Sequence, residues 1–190
     1  QWMATFLPKY VDKNRVVFIQ GGVEETSVLL KERFDYIFYT GNPAVGKLIM
    51  KAASEHLTPV TLELGGKCPV VVDDTVDLAT ACNRIALGKF SNVGQTCVAP
   101  DYVLVSENRL NSFVDQFKST ILKFYGNNAQ ESGDYSRVIS ERHTARLQRL
   151  VDTSKGNVVV GGISDTKDKY FAPTIVVNPS LDSPLMKEEI

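Results

Sequence analysis

The sequence predicts an α/β protein in which strands and helices alternate around parallel pairings, on three observations. Short apolar runs rich in β-branched and aromatic residues recur along the chain, among them DYIFYTG, PVTLEL, PVVVDD and DYVLVS. Between them lie stretches with apolar residues at helical spacing. The connections are short and marked by Gly, Pro, Asn and Ser. Strands that alternate with helices are joined by crossovers, which is what parallel pairing requires.

Taken in order, residues 2–12 have an amphipathic helical pattern, with Trp2, Phe6, Tyr10 and Val11 near one face. RVVFIQGG has the look of a buried strand ending at Gly21 and Gly22. A helix is expected from Glu24 to Lys31, then a strand through DYIFYTG. Asn42 can cap the next helix, and Pro43 suits its first position, where a missing N–H costs nothing. That helix should run to about Ser54 and lead into the strand PVTLEL.

The texture changes after Gly65 and Gly66, which places a boundary between residues 1–64 and 65–190. PVVVDD predicts a strand, and Val76 to Phe90 a helix with Leu78, Cys82, Ile85 and Ala86 on one stripe. The loop SNVGQTCVAP precedes the strand DYVLVS. Ser106 is expected to cap a long helix carrying Leu110, Phe113, Val114, Phe117 and Ile121. A helix over 141–154 and strands in NVVVGG and PTIVVNP complete the second part. No internal repeat or low-complexity segment is visible.

Bulk properties narrow the function. The net charge is −1 with no long single-sign run, which argues against nucleic acid as a partner. No apolar stretch approaches the roughly 18 residues of a membrane span, and no signal peptide is visible. The chain starts at Gln1 and stops at MKEEI, so it reads as an internal piece of a longer protein. Three cysteines without a C-x-x-C pair fit a reducing compartment, and a cytoplasmic location is expected. The two histidines, His56 and His143, are too far apart in sequence to suggest a metal site.

Three constellations could carry chemistry. GNPAVGKL, residues 41–48, approaches the triphosphate loop G-x-x-x-x-G-K-[ST], but Leu48 stands where the magnesium-binding hydroxyl belongs. A helix N-terminus still favours phosphate, so the loop by itself allows a phosphate cradle or a plain turn. Cys97 lies in a loop beside Gly94, Gln95 and Thr96, where backbone amides can approach a thiol and an oxyanion. Cys82 and Cys68 instead read as small apolar residues. Glu63 ends an apolar strand run and is followed, after Leu64, by two glycines, at the strand end where such sheets bind ligands. Lys67 reads as a surface or structural ion-pair residue rather than a catalytic one, and Glu188 and Glu189 by themselves as charged surface.

In order and spacing, YTGNPAVGK, TLELGGK and FSNVGQTCVAPDY together resemble the aldehyde dehydrogenase superfamily, including the 34 residues from Glu63 to Cys97. CVAPDY and HLTPVTLELGGK look most like its class 3 branch, which includes fatty aldehyde dehydrogenases. The resemblance covers essentially the whole chain. It implies a Rossmann-like cofactor-binding parallel sheet, of which residues 1–64 are the later half, and an α/β catalytic domain, of which 65–190 are most.

The resemblance also implies roles. Cys97 matches the nucleophile and Glu63 the general base. Gly41, Asn42, Pro43 and Gly46 match the cofactor turn. Leu64 matches the position whose carbonyl meets the nicotinamide amide, and Glu189 the glutamate that holds the nicotinamide ribose. It implies NAD or NADP as cofactor, a small-molecule aldehyde as substrate and a homodimer, with membrane association of the full chain left open because some relatives carry a C-terminal anchor. Two departures stand out. The family usually has Ser-Thr where this chain has Asn42-Pro43. An upstream asparagine for the oxyanion and a Lys-x-x-Glu segment for the adenosine ribose are not among these residues. Two alternatives share the fold: a non-catalytic protein, and an enzyme that passes the thioester to coenzyme A.

Overall fold

A computed structural model describes residues 2–190. The chain divides into two compact units, with the boundary in sequence between Leu64 and Gly65. In the first, α1 (Trp2–Phe6) passes into a 3-10 turn over Leu7–Lys9. The single helix expected over residues 2–12 is thus shorter, because Pro8 has no N–H to extend the ladder. Trp2 stacks on Phe6 at 4.7 Å between ring centres, and Tyr10 packs against Phe6 at 5.1 Å.

The strand expected in RVVFIQGG does not form, and residues 16–22 have no regular structure. Val17 and Ile19 are 73% and 60% exposed. An apolar run becomes a strand only when a neighbour accepts its backbone hydrogen bonds, and no strand of the described residues lies beside it. α2 (Val23–Leu29) follows, opened by Gly22 N–H donating to Glu25 Oε2 at 2.7 Å.

The first unit's sheet is β1 (Ile37–Gly41) beside β2 (Val60–Leu64), parallel, with α3 (Pro43–Ser54) as the crossover. α3 buries Gly46, Ile49 and Ala53, one stripe at helical spacing. It packs closely: a Cβ on Gly46 would come within 3.2 Å of Leu64 Cδ2.

The second unit repeats the logic. β3 (Cys68–Val72) and β4 (Pro100–Val105) pair in parallel through α4 (Leu78–Phe90). Asp77 caps α4, its carboxylate accepting Thr80 N–H at 2.8 Å. The expected stripe is inside, with Cys82 and Ala86 fully buried. It faces α5 (Leu110–Tyr125), which buries Phe113, Val114, Phe117, Thr120 and Ile121. Phe90, Phe117, Tyr125, Tyr135 and Tyr170 form an aromatic chain at the core's centre. Each such ring, buried, contributes on the order of 1.5–3 kcal/mol. Tyr135 O–H donates to the Phe171 carbonyl at 3.0 Å, so its polar end is satisfied.

Ser106 does not cap the long helix through its side chain. It precedes a 3-10 turn over Glu107–Arg109, and its hydroxyl donates to Asp74 Oδ1 at 2.6 Å. α6 (Glu141–Asp152) is capped by Ser140, whose Oγ accepts His143 N–H at 3.3 Å. The last third adds antiparallel pairs to the parallel ones. β5 (Asn157–Val160) pairs with β8 (Ile175–Val177), and β6 (Ser164–Asp165) with β7 (Tyr170–Phe171). The β6–β7 hairpin has no counterpart in the sequence reading, since two-residue strands leave no periodicity to detect.

Candidate functional site

The first unit gathers its candidates at one end of its sheet. In the β1–β2 register Thr40 lies opposite Glu63, and Gly41 opposite Leu64. Both strands therefore finish together, at their carboxyl ends, where α3 begins. Glu63 is exposed there. Asn42 is the N-cap, and its Oδ1 accepts Val45 N–H at 2.9 Å. The Asn42 carbonyl accepts Gly46 N–H, also at 2.9 Å. Pro43 has no N–H, so Ala44 supplies the remaining backbone donor of the first turn. A phosphate would meet that donor and the positive end of the helix. Gly41 leaves room for the Tyr39 hydroxyl, which occupies the space a Cβ would take. These residues fit a dinucleotide's phosphates, with fewer donors than a Ser-Thr loop would offer.

The second unit builds the Cys97 loop. After α4 the backbone turns left-handed at three residues in succession, with φ of 52° at Asn92, 58° at Val93 and 75° at Gly94. For a β-branched residue such as Val93 this conformation is costly, on the order of 1–3 kcal/mol. Val93 packs against both hydrophobic clusters of the unit, which offsets the strain. Gly94 has no alternative, because a Cβ would sit 2.8 Å from the Lys89 carbonyl. The loop then closes on itself through Thr96 N–H to Gly94 O and Ala99 N–H to Thr96 O, both at 2.9 Å. Cys97 stands exposed between these bonds. Among the described residues nothing accepts the Cys97 N–H, and a free backbone donor there can stabilise negative charge on the oxygen of a carbonyl bound to the thiol.

The turn at Gly65 and Gly66 joins the Cys97 loop to the chain's last residues. A Cβ on Gly66 would lie 2.9 Å from the Cys97 carbonyl oxygen. Cys68 Sγ donates to the same oxygen at 3.3 Å. Cys68 is half-buried and takes part in the loop's hydrogen bonding, so it is not the inert apolar residue its sequence context suggests. On the other side, the Glu189 carboxylate occupies the place a Gly65 side chain would need. Arg146 on α6 holds this segment, donating through Nη1 to the Glu189 carbonyl at 2.9 Å and to Glu188 Oε2 at 3.4 Å. The structure thus brings Cys97 and Glu189 to the two faces of one glycine turn.

Beneath the loop lies a small charged cluster. Lys67 Nζ is 2.5 Å from Asp101 Oδ2 and donates to the Leu185 carbonyl at 2.7 Å. The Asp101 side chain is 3% exposed, so of the surface and structural readings the sequence leaves open for Lys67, the structural ion pair is the one found. Burial pulls the Lys89 ammonium below the usual lysine range, while attraction to Asp101 opposes that fall. A cleft of about 790 Å³ opens nearby, lined by Lys89, Asp101, Val103, Ile175, Val177 and Ile190. Neither Cys97 nor Glu189 lines it, so volume alone does not mark the chemistry here.

Sequence reasoning missed Arg146, Cys68, Asp101 and the side-chain roles of Gln95. Each acts through contacts with residues distant in sequence, which leave no local pattern. Among the described residues no group of three or more His, Cys, Asp or Glu could hold a metal ion, and no helix is long and apolar enough to cross a membrane.

The sequence profile of the aldehyde dehydrogenase family matches residues 4–190. The dimeric NADP-preferring aldehyde dehydrogenase of Rattus norvegicus is 53% identical over 188 residues, covering 99% of this chain and 41% of that protein. Aldehyde dehydrogenase family 3 member A2 of Pongo abelii is 49% identical over 188 residues, covering 99% of this chain and 38% of that protein. A Staphylococcus aureus AldH, solved in a substrate-bound state, superposes with a TM-score of 0.91 at 44% identity, over 98% of this chain and 41% of that one. The chain thus spans about two fifths of the length of the curated relatives it matches.

Proposed function

The chain belongs to the aldehyde dehydrogenase family, and on that footing we propose that the protein oxidises an aldehyde to a carboxylic acid with NAD or NADP. The observation that carries this reading is the Cys97 loop. It holds an exposed thiol whose N–H has no acceptor among the described residues, on a backbone fixed against Gly66 and Cys68.

Cys97, as thiolate, attacks the aldehyde carbon, and the Cys97 N–H faces the oxygen that becomes negative. NAD or NADP, when bound, would accept the hydride that leaves this carbon. Gly41, Asn42, Pro43, Gly46 and Leu64 would hold its phosphate and nicotinamide ends, and Glu189 its nicotinamide ribose. The carbon that has lost hydride remains on Cys97 as a thioester. Glu63 then takes a proton from a water molecule, whose oxygen attacks the thioester and frees the acid and the thiol. The rat relative's name supports NADP among the cofactors and a homodimer as the assembly. Three unpaired thiols support a reducing, cytoplasmic setting.

The test is Cys97→Ala in the full-length protein. Aldehyde-dependent reduction of NAD or NADP should vanish, and turnover that survives the substitution refutes the assignment. Glu63→Gln should slow acyl-enzyme hydrolysis while sparing the first burst of reduced cofactor. A lost burst with normal hydrolysis of preformed acyl-enzyme would contradict the base role.

A further inference from the structure

The Cys97 loop has to be held as well as shaped, and one side chain does this from within it. Gln95 Nε2 donates to the Asn92 carbonyl at 3.0 Å and to the Arg137 carbonyl at 3.2 Å. Its Oε1 accepts Ile139 N–H at 2.8 Å. Both amide hydrogens and the amide oxygen are engaged, which is what a primary amide can offer in one plane. The bond to Asn92 closes the left-handed kink, and Asn92 Nδ2 returns a bond to the Gln95 carbonyl at 3.2 Å. The other two bonds grip residues 137 and 139 as a neighbouring strand would, taking one carbonyl and one N–H.

What Gln95 grips is itself rigid. Arg137 donates to Asp168 Oδ2 through Nε at 3.0 Å, to the Gln130 carbonyl through Nη2 at 2.7 Å and to the Tyr135 carbonyl through Nη1 at 3.2 Å. Its guanidinium lies over the Tyr170 ring at 5.4 Å. Val138, between the two gripped residues, is 2% exposed, and its N–H donates to the Lys169 carbonyl at 2.9 Å.

We infer that Gln95 is a positioning residue for Cys97: its amide ties the nucleophile's loop to the anchored 137–139 segment. This rests on the reading of Cys97 as the nucleophile. Gln95 touches neither substrate nor cofactor in this scheme and acts through the backbone two residues before the thiol. The chemistry is particular to glutamine. Glutamate has nearly the same shape but would turn a carboxylate oxygen toward the Asn92 and Arg137 carbonyls. Methionine keeps the length and loses every bond.

The experiment compares Gln95→Glu and Gln95→Met in the full-length protein, with rates referred to the folded fraction, counted as molecules whose Cys82 resists alkylation. Both variants should lose kcat by on the order of 10²-fold, the effect of misplacing a reacting group by about an ångström. The KM for cofactor should stay within about two-fold, since uniform binding is not touched. The pH profile of Cys97 alkylation by iodoacetamide should move away from that of the unsubstituted protein in both. Gln95→Glu should be no better than Gln95→Met, although it is the closer shape. A Gln95→Glu protein with near-normal kcat, or an alkylation profile unchanged in both variants, overturns the role. Alkylation needs no turnover, so the two readings fail separately: an unsubstituted protein inert toward aldehydes refutes the dehydrogenase reading and leaves the loop test standing.

Discussion

Cys82 and Cys97 lie 15 residues apart, yet their thiols meet opposite surroundings. Cys82 is fully buried between α4 and α5, and burial, aided by the Asp77 carboxylate, pushes its thiol up to about 11. Only the thiolate reacts. At pH 8 in the native protein, iodoacetamide should therefore label Cys97 and leave Cys82 intact until the chain unfolds, as peptide mass spectrometry would read. Native labelling of Cys82 would show that the core opens. Gly66 gives a second prediction at this scale. Its missing Cβ is what lets the Cys97 carbonyl pass at 2.9 Å, and the obstruction would be backbone, which cannot swing away. Gly66→Ala should cut kcat/KM by about 10- to 100-fold, in line with displacement of the nucleophile. Unchanged steady-state kinetics would mean that the loop yields without consequence. In both cases the residue type was visible in the sequence and its partner was not.

α3 shows how an element can satisfy its own end and limit what it offers a ligand. Asn42 and Pro43 start the helix well, one by capping Val45 and the other by fixing φ, but they consume or lack the donors a phosphate would want. Asn42→Ala should lower stability by about 1 kcal/mol, the usual value of a cap, measured as a shift of the urea midpoint at constant slope. Asn42→Asp should keep the cap, since a carboxylate accepts the same bond, and yet weaken cofactor binding by repelling its phosphates. Equal cofactor affinity in Asn42→Asp and the unsubstituted protein, by titration calorimetry, would remove this turn from the phosphate site. The cap and the proline were legible because their signals are local. The helix over 2–12, the strand in 15–22 and the Ser106 cap were misread for the converse reason. Each depended on what stood beside it: a proline's lost N–H, an absent neighbouring strand, and an Asp74 carboxylate that took the hydroxyl.

At the scale of the molecule, stability and activity draw on different parts of the chain. The ion pair between half-buried Lys67 and the buried Asp101 carboxylate ties the start of β3 to β4, and Lys67 also holds the Leu185 carbonyl. Lys67→Met should cost about 3–5 kcal/mol by leaving the Asp101 carboxylate buried without its partner. A thermal midpoint equal to that of the unsubstituted protein would show that water or Lys89 takes over. Activity should need more than these 190 residues. They span 41% of the rat relative, and the asparagine and the Lys-x-x-Glu segment that the resemblance implies are not among them. The isolated chain is expected to oxidise no aldehyde, and measurable turnover by it would overturn that. The sequence by itself determined the alternation of strands and helices, the cap at Asn42, the stripe on α4 and the identity of Cys97, Glu63 and the cofactor turn as candidates. All of these rest on local periodicity, on backbone chemistry or on motifs whose order can be read along a line. Only the tertiary structure decided that Cys97 and Glu189 flank one glycine turn, that Cys68 and Gln95 hold the loop, and that Arg146 holds the chain's last residues. Those contacts join residues 29 to 44 positions apart, or more than 100 for Glu189 and Gly65, and their geometry exists only once the core has packed.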